Sequence, residues 1–233
     1  MKRFNKRHVA PEYLRIPHLN KEISNMTHDD LMLETSIEFP VTYDVQEKVD
    51  GANMGTSFVD GIPILRNREH ILKKGYMKTD TPAKKQFTSA WNWLHNHQKD
   101  IEYVARKCQS EITIYGDWLY AQHSIHYDKL PDLFIAYDIW CVDDDSYLSP
   151  TLVEELLSKT NIKYVKPHKV TFNSMAEIVE WSEKPSDFRT GIREGIVLKE
   201  GRGRLCNSMF KVVNSQFERR TDFNERLLRN KLA

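Results

Sequence analysis

The chain is poor in cysteine. Cys108, Cys141 and Cys206 are odd in number and widely scattered, which excludes a disulfide framework and the paired spacing of a structural zinc site. They read as buried or incidental thiols. Long apolar runs are missing too: nothing approaches the roughly 20 residues a membrane-spanning helix needs. The basic N-terminus is not followed by the apolar segment of a secretory signal, so the expectation is a cytoplasmic protein with no membrane partner. Charge of one sign is also lacking. Lys and Arg number 34 against 33 Asp and Glu, a net +1, which excludes a uniformly basic nucleic-acid binder. No internal repeat, low-complexity tract or linker divides the chain.

What is present suffices for a core. In 233 residues, 40% are hydrophobic, with five Trp, ten Tyr and ten Phe, enough for one domain or one domain with a short appendage. The ends are more basic than the middle: residues 1–22 hold six Lys or Arg against two Glu, and residues 211–233 six against three acids. Either end suits phosphate contact, and both also suit solvated tails.

Strand-like runs lie at 39–47, 54–59 and 62–66, the last two joined by Asp60-Gly61, a hairpin signal. Thr27-His28-Asp29-Asp30 suits a short helix cap. From Phe87 the apolar residues Ala90, Trp91, Leu94, Ile101, Val104 and Ala105 recur at helical spacing, predicting an amphipathic helix over 83–107. Further strands are expected at 111–115, 133–140, 195–199 and 209–213. Ser149-Pro150 opens a helix through Lys159, Ser174 to Glu177 forms a capping box, and Ser215 to Glu218 caps a final polar helix. The expected class is α+β with mostly antiparallel sheets flanked by helices.

Glu47-Lys48-Val49-Asp50-Gly51-Ala52-Asn53 sets a lysine between a β-rich run and a turn. An amine at a strand end is a nucleophile only where desolvation or nearby cations lower its pKa. Taken alone, Lys-x-Asp-Gly also suits a solvated turn lysine. Other charges stand at strand ends: Arg66 and Arg68, Asp117, Tyr137-Asp138, Glu194 with Lys199, and Lys211. Singly each suits a surface charge or ion pair; together they offer cations for a triphosphate, carboxylates for a hard divalent metal and an amine nucleophile. That combination favours phosphoryl transfer over ester or sugar hydrolysis.

These residues resemble a known family. Lys48-Val49-Asp50-Gly51, Tyr115-Gly116-Asp117, Ala136-Tyr137-Asp138-Ile139, Glu194 to Lys199 and Phe210-Lys211 follow the order of motifs I, III, IIIa, IV and V of the covalent nucleotidyltransferases: DNA ligases, RNA ligases and capping enzymes. Tyr13 to Leu19, Gly116 to Ile125, Tyr127 to Pro131 and Arg193-Glu194-Gly195 resemble the adenylyltransferase domain of RNA ligases of the Deinococcus type and the phage RNA ligase 2 type. The resemblance runs from about Tyr13 to Phe217 and implies the nucleotidyltransferase, ATP-grasp-like fold.

The resemblance implies roles. Lys48 would take AMP from ATP, with Glu47 and Asn53 contacting the nucleotide. Arg68, or alternatively Arg66, would touch ribose or substrate phosphate. Asp117, standing where the family has Glu, would bind ribose, and Tyr137 would stack on adenine. Asp138 and Glu194 would serve Mg²⁺ or Mn²⁺ or the active-site lysines. Lys199 and Lys211 would face the phosphates and lower the Lys48 pKa. The second motif V lysine is absent, the stretch reading Lys211-Val212-Val213. With about twenty residues after Val213, the expectation is a nearly bare, monomeric catalytic domain without an OB domain, in the cytoplasm of a bacterium or of a phage host. It would seal RNA with 5′-phosphate and 3′-OH ends, preferentially in a nicked duplex, with phosphate contacts from Arg3, Lys6, Arg7, Arg219, Arg220 and Arg226. A minimal DNA ligase, a capping guanylyltransferase and a nonenzymatic RNA-binding relic are the alternatives.

Overall fold

A computed structural model describes residues 11–26, 30–33, 36–68, 70–72, 85–218 and 228–233. The six basic residues expected to meet RNA phosphates, the cap at 27–29, the first two residues of the expected helix 83–107 and the body of the final helix lie outside the described residues.

Strand β1 (Val41–Lys48) passes directly into β2 (Ala52–Val59), yet the two belong to different sheets. β2 turns through Asp60 and Gly61, both at positive φ (51° and 74°), into β3 (Ile62–Asn67); this is the two-residue geometry that Asp-Gly favours. β4 (Ile112–Trp118) pairs with β2, and β5 (Phe134–Cys141) with β4. With the two-residue β6 (Ser146–Tyr147) they make a five-stranded sheet ordered β3-β2-β4-β5-β6. β7 (His168–Phe172), β8 (Gly195–Arg202) and β9 (Leu205–Val213) join β1 in a second sheet ordered β7-β1-β8-β9. All these strand pairs are antiparallel.

The expected helix 83–107 is two helices, α1 (Ala90–Asn96) and α2 (Gln98–Cys108). The break is His97. Its ring stacks on Trp93 with centroids 4.1 Å apart, and its Nδ1 lies 2.9 Å from the Trp93 carbonyl, which also accepts the His97 amide. Side-chain competition for a helical carbonyl ends the first helix. α3 (Pro150–Leu157) begins with proline in its first turn, and α4 (Met175–Ser182) begins at Ser174, whose hydroxyl accepts the Glu177 amide. The returning Glu177 carboxylate takes the Asn173 amide at 2.8 Å, one residue earlier than a regular capping box.

Helices α1 to α3 cover one face of the five-stranded sheet, burying Trp93, Leu94, Ile101, Val104, Val153 and Leu157 against Met54, Ile114 and Phe134. The four-stranded sheet packs Tyr43, Val45, Ile196, Leu198 and Val212 under Leu19 and Ile178 of α4. A third cluster joins Val49, Leu119, Tyr127, Leu130, Ile135, Val165 and Phe188 beneath the β1–β2 connection. Between the sheets Tyr13, Tyr115, Tyr147, Cys206 and Met209 form a smaller aromatic and apolar cluster, and buried polar residues such as Asp117, Asp138 and Lys199 stand beside it. Among the described residues no helix is long and apolar enough to cross a membrane.

Candidate active site

Lys48 is the last residue of β1 and pairs with Gly195 of β8, where a Cβ would collide with the Val212 carbonyl. That close strand approach sets Glu194 beside the amine, and Lys48 Nζ donates to Glu194 Oε1 at 2.5 Å. The Lys48 side chain keeps 25% of its exposure and Glu194 only 5%, so the ammonium looks into open space with the carboxylate behind it. The chain then leaves the sheet through three fixed residues. The Asp50 carboxylate accepts the amides of Ser124 (2.6 Å) and Ile125 (2.8 Å), the Asp50 amide donates to the Tyr127 hydroxyl, and the Gly51 amide donates to Asp117.

The space in front of Lys48 is a cavity of about 800 Å³ between the sheets, lined among others by Asn53, Arg68, Asp117, Tyr137, Lys199 and Lys211. Adjacent strands of the five-stranded sheet supply a polar chain: Asn53 Nδ2 donates to the Tyr137 hydroxyl at 2.7 Å, which donates to Asp117 Oδ1 at 3.2 Å. Tyr137 is half-buried, with the Tyr13 ring 5.4 Å from its own. Arg66 is buried and holds the Asn67 and Arg68 carbonyls with its guanidinium, while Arg68 itself is exposed at the cavity. Of the two arginines, Arg68 is the one placed to meet a ligand.

From the other sheet, Lys199 is almost fully buried and donates to Asp138 Oδ1 (2.7 Å) and to the Tyr137 carbonyl (3.1 Å). Asp138 Oδ2 accepts the Tyr13 hydroxyl at 2.7 Å, so both Asp138 oxygens are engaged. Lys211 Nζ donates to Asp30 Oδ1 at 3.2 Å. Glu47 faces away from Lys48, as alternation along a strand requires; its carboxylate accepts the Ser186 hydroxyl and the Asp187 amide. Its side chain therefore anchors that loop, and burial pushes its pKa up.

The electrostatics overturn one expectation. Burial works to lower the Lys48 pKa, but the Glu194 carboxylate, with Asp50 and Asp117 behind it, outweighs burial and the net shift is upward. The cations expected to depress it are committed elsewhere, Lys199 to Asp138 and Lys211 to Asp30. Burial pushes the Glu194 carboxyl up to about 7 and that of Asp117 up to about 6, each against the opposing pull of Lys48. Two buried acceptors, Glu194 Oε2 and Asn53 Oδ1, have no hydrogen-bond partner, an expensive condition unless a ligand or cation completes them. Among the described residues no group of three or more His, Cys, Asp or Glu comes together as a metal site.

Sequence reading missed the supports: Tyr13 as the partner of Asp138, and Asp50 with Tyr127 as the clamp on the strand end that carries Lys48. Asp50 was visible in Lys48-x-Asp50-Gly51, but its partners lie 74 to 77 positions away.

The RNA ligase family model matches residues 41–213. Solved structures of Naegleria gruberi RNA ligase align with 74% of the chain. The form with PPi shares 22% identity at a TM-score of 0.56. A variant with AMP and Mn, and another with ATP and Mn, share 20% identity at 0.52. The chain spans about half of those relatives, 49% to 50% of their length, and the likeness is one of fold. A comparison with curated proteins gives no match.

Proposed function

The chain belongs to the RNA ligase family, and from that membership and the surroundings of Lys48 we propose that it is an ATP-dependent RNA ligase working through a lysyl-AMP intermediate. The observation that carries the proposal is an amine at a rigid strand end, paired with a carboxylate at 2.5 Å and opening on a cavity walled by Arg68, Tyr137, Lys199 and Lys211. A structural ion pair would not need that cavity. A nonenzymatic RNA-binding relic would need neither the amine nor the unpartnered Glu194 oxygen.

Lys48 Nζ, once its proton is lost, attacks the α-phosphorus of ATP; a phosphoramide bond forms and pyrophosphate leaves. AMP then passes from Lys48 to the 5′-phosphate of an RNA strand, and the 3′-OH of a second strand displaces it to close the phosphodiester. Tyr137 offers its open ring face to adenine. Asp117 and Asn53 present oxygens to the ribose side, and Arg68, Lys199 and Lys211 balance phosphate charge. Protonated Lys48 is the resting form, so Glu194 is both its counter-ion and the nearest acceptor for its proton.

A divalent cation fits the free Glu194 oxygen: Mg²⁺ sites use one or two carboxylates completed by substrate phosphates and water. Mg²⁺ or Mn²⁺ held there would neutralise the triphosphate and draw Glu194 off the Lys48 ammonium. Asp138, with both oxygens engaged, fits the role of orienting Lys199 better than that of ligand.

The finer features belong to the same proposal: one adenylyltransferase unit, acting as a monomer in the cytoplasm, sealing nicked RNA duplex through salt-sensitive backbone contacts. The deciding experiment incubates the chain with α-phosphate-labelled ATP or GTP. A covalent AMP adduct that disappears in Lys48→Ala with unchanged circular dichroism, and in excess chelator, supports the reading. A GMP adduct would transfer it to capping, and labelled Lys48→Ala would refute the nucleophile. Faster sealing of an all-DNA nick would favour a minimal DNA ligase.

A further inference from the structure

The segment preceding β1 carries two residues, His18 and Asp30, that the chemistry above does not use. Its Pro17 to Leu19 runs along β9: the Lys211 amide donates to the Pro17 carbonyl and the Leu19 amide to the Lys211 carbonyl, both at 2.9 Å. Residues 30–33 lie beyond it, the His18 amide donating to Leu31 and the Leu33 amide to His18. This edge brings Asp30 to the rim of the cavity that holds Lys48. Asp30 Oδ1 accepts from Lys211 Nζ at 3.2 Å, and Oδ2 lies 3.5 Å from His18 Nε2. The His18 ring is fully buried, and its Nδ1 is hydrogen-bonded to the Ser24 hydroxyl, which also accepts the Val213 amide.

We infer that Asp30 is a positioning residue for Lys211: it holds the ammonium at the cavity wall before ATP enters and yields it to phosphate oxygens afterwards. The inference rests on the ATP reading of the cavity. Asp30 and Lys211 each keep 17% side-chain exposure, so the pair sits where a triphosphate can reach it rather than inside the core. Two anions then compete for one ammonium, and the triphosphate carries the larger charge. Losing Lys211 does not strand Asp30, because His18 still stands against its other oxygen on a ring fixed by Ser24. Asp30 also brings like charge towards the incoming phosphates, so it opposes binding even as it keeps Lys211 extended over the site.

The test is the ATP dependence of adduct formation in wild type, Asp30→Asn, Lys211→Ala and the double variant. Asp30→Asn is expected to lower the half-saturating ATP concentration by up to about fivefold, the range of a partly exposed ion pair, and to change it more than the saturated rate. Lys211→Ala should raise that concentration, and adding Asp30→Asn to it should lower it by less than Asp30→Asn does alone, because only the like-charge part of the effect survives without Lys211. A higher half-saturation in Asp30→Asn, or an equal effect with Lys211 present and absent, overturns the inference. Asp30→Ser, checked by thermal melting, serves as a second probe, and lost ATP affinity in a folded Asp30→Ser chain overturns it too. If wild type forms no adduct, the ATP reading itself fails; if wild type labels and Asp30→Asn is unaltered, only the role of Asp30 does.

Discussion

Replacing Glu194 with glutamine should make the protein more stable at alkaline pH. Burial raises this carboxyl from 4.5 to about 7 even though Lys48 pulls the other way, so the folded state binds its proton more tightly than the unfolded chain. The stability held by the protonated form is complete below pH 4.5 and is lost as pH rises through 7. At about 1.36 kcal/mol per unit, ionising Glu194 costs the fold about 1 kcal/mol at pH 5 and about 3 kcal/mol at pH 8. The attraction to Lys48 is already contained in those figures. The glutamine amide keeps the neutral shape and removes the cost. For a chain of this size the gain corresponds to about 6–12 °C in Tm at pH 8 and about 2–4 °C at pH 5. Differential scanning calorimetry of both proteins across pH 5–8 is the assay. A glutamine variant that melts below wild type at pH 8, or whose advantage does not grow with pH, would refute the reasoning.

Two further outcomes follow from the polar chain across the five-stranded sheet and from the clamp at the strand end. Tyr137→Phe removes the hydroxyl that links Asn53 to Asp117 through two partly buried hydrogen bonds, so half-saturating ATP should rise by about five- to tenfold; a Phe variant indistinguishable from wild type would leave only the ring face in play. Asp50→Ala strips the partner from the Ser124 and Ile125 amides and should cost about 2–4 kcal/mol in urea unfolding, and a loss below about 1 kcal/mol would mean the clamp is not structural.

The strands that carry chemistry were legible because their signals are local. Asp60-Gly61 fixes a hairpin, and the motif residues sit at the ends of runs rich in β-formers. Boundaries extended where the partner strand demanded it: β4 continues through Gly116 and Asp117 because Ala136 and Ile135 oppose them. β7 escaped notice because only Phe172 of its five residues is buried, leaving no alternation to read. The division of helix 83–107 at His97 depends on a side chain reaching a carbonyl, which periodicity does not register. The direction in which its surroundings move the Lys48 pKa was the largest miss. The type of residue at each site position could be read from order along the chain, but which carboxylate faces which amine is settled by register between strands 146 positions apart.

Lys48 closes a strand of one sheet with Glu194 beside it, while Asn53, Asp117 and Tyr137 belong to the other, and Val49 to Gly51 runs from β1 to β2 between them. Whatever fills the cavity adds a further cross-link to those the two halves already share, the buried Lys199–Asp138 pair and the cluster of Tyr13, Tyr115, Tyr147, Cys206 and Met209. An occupant that touches both sheets would narrow the motion left between them, at an entropic cost that its departure returns.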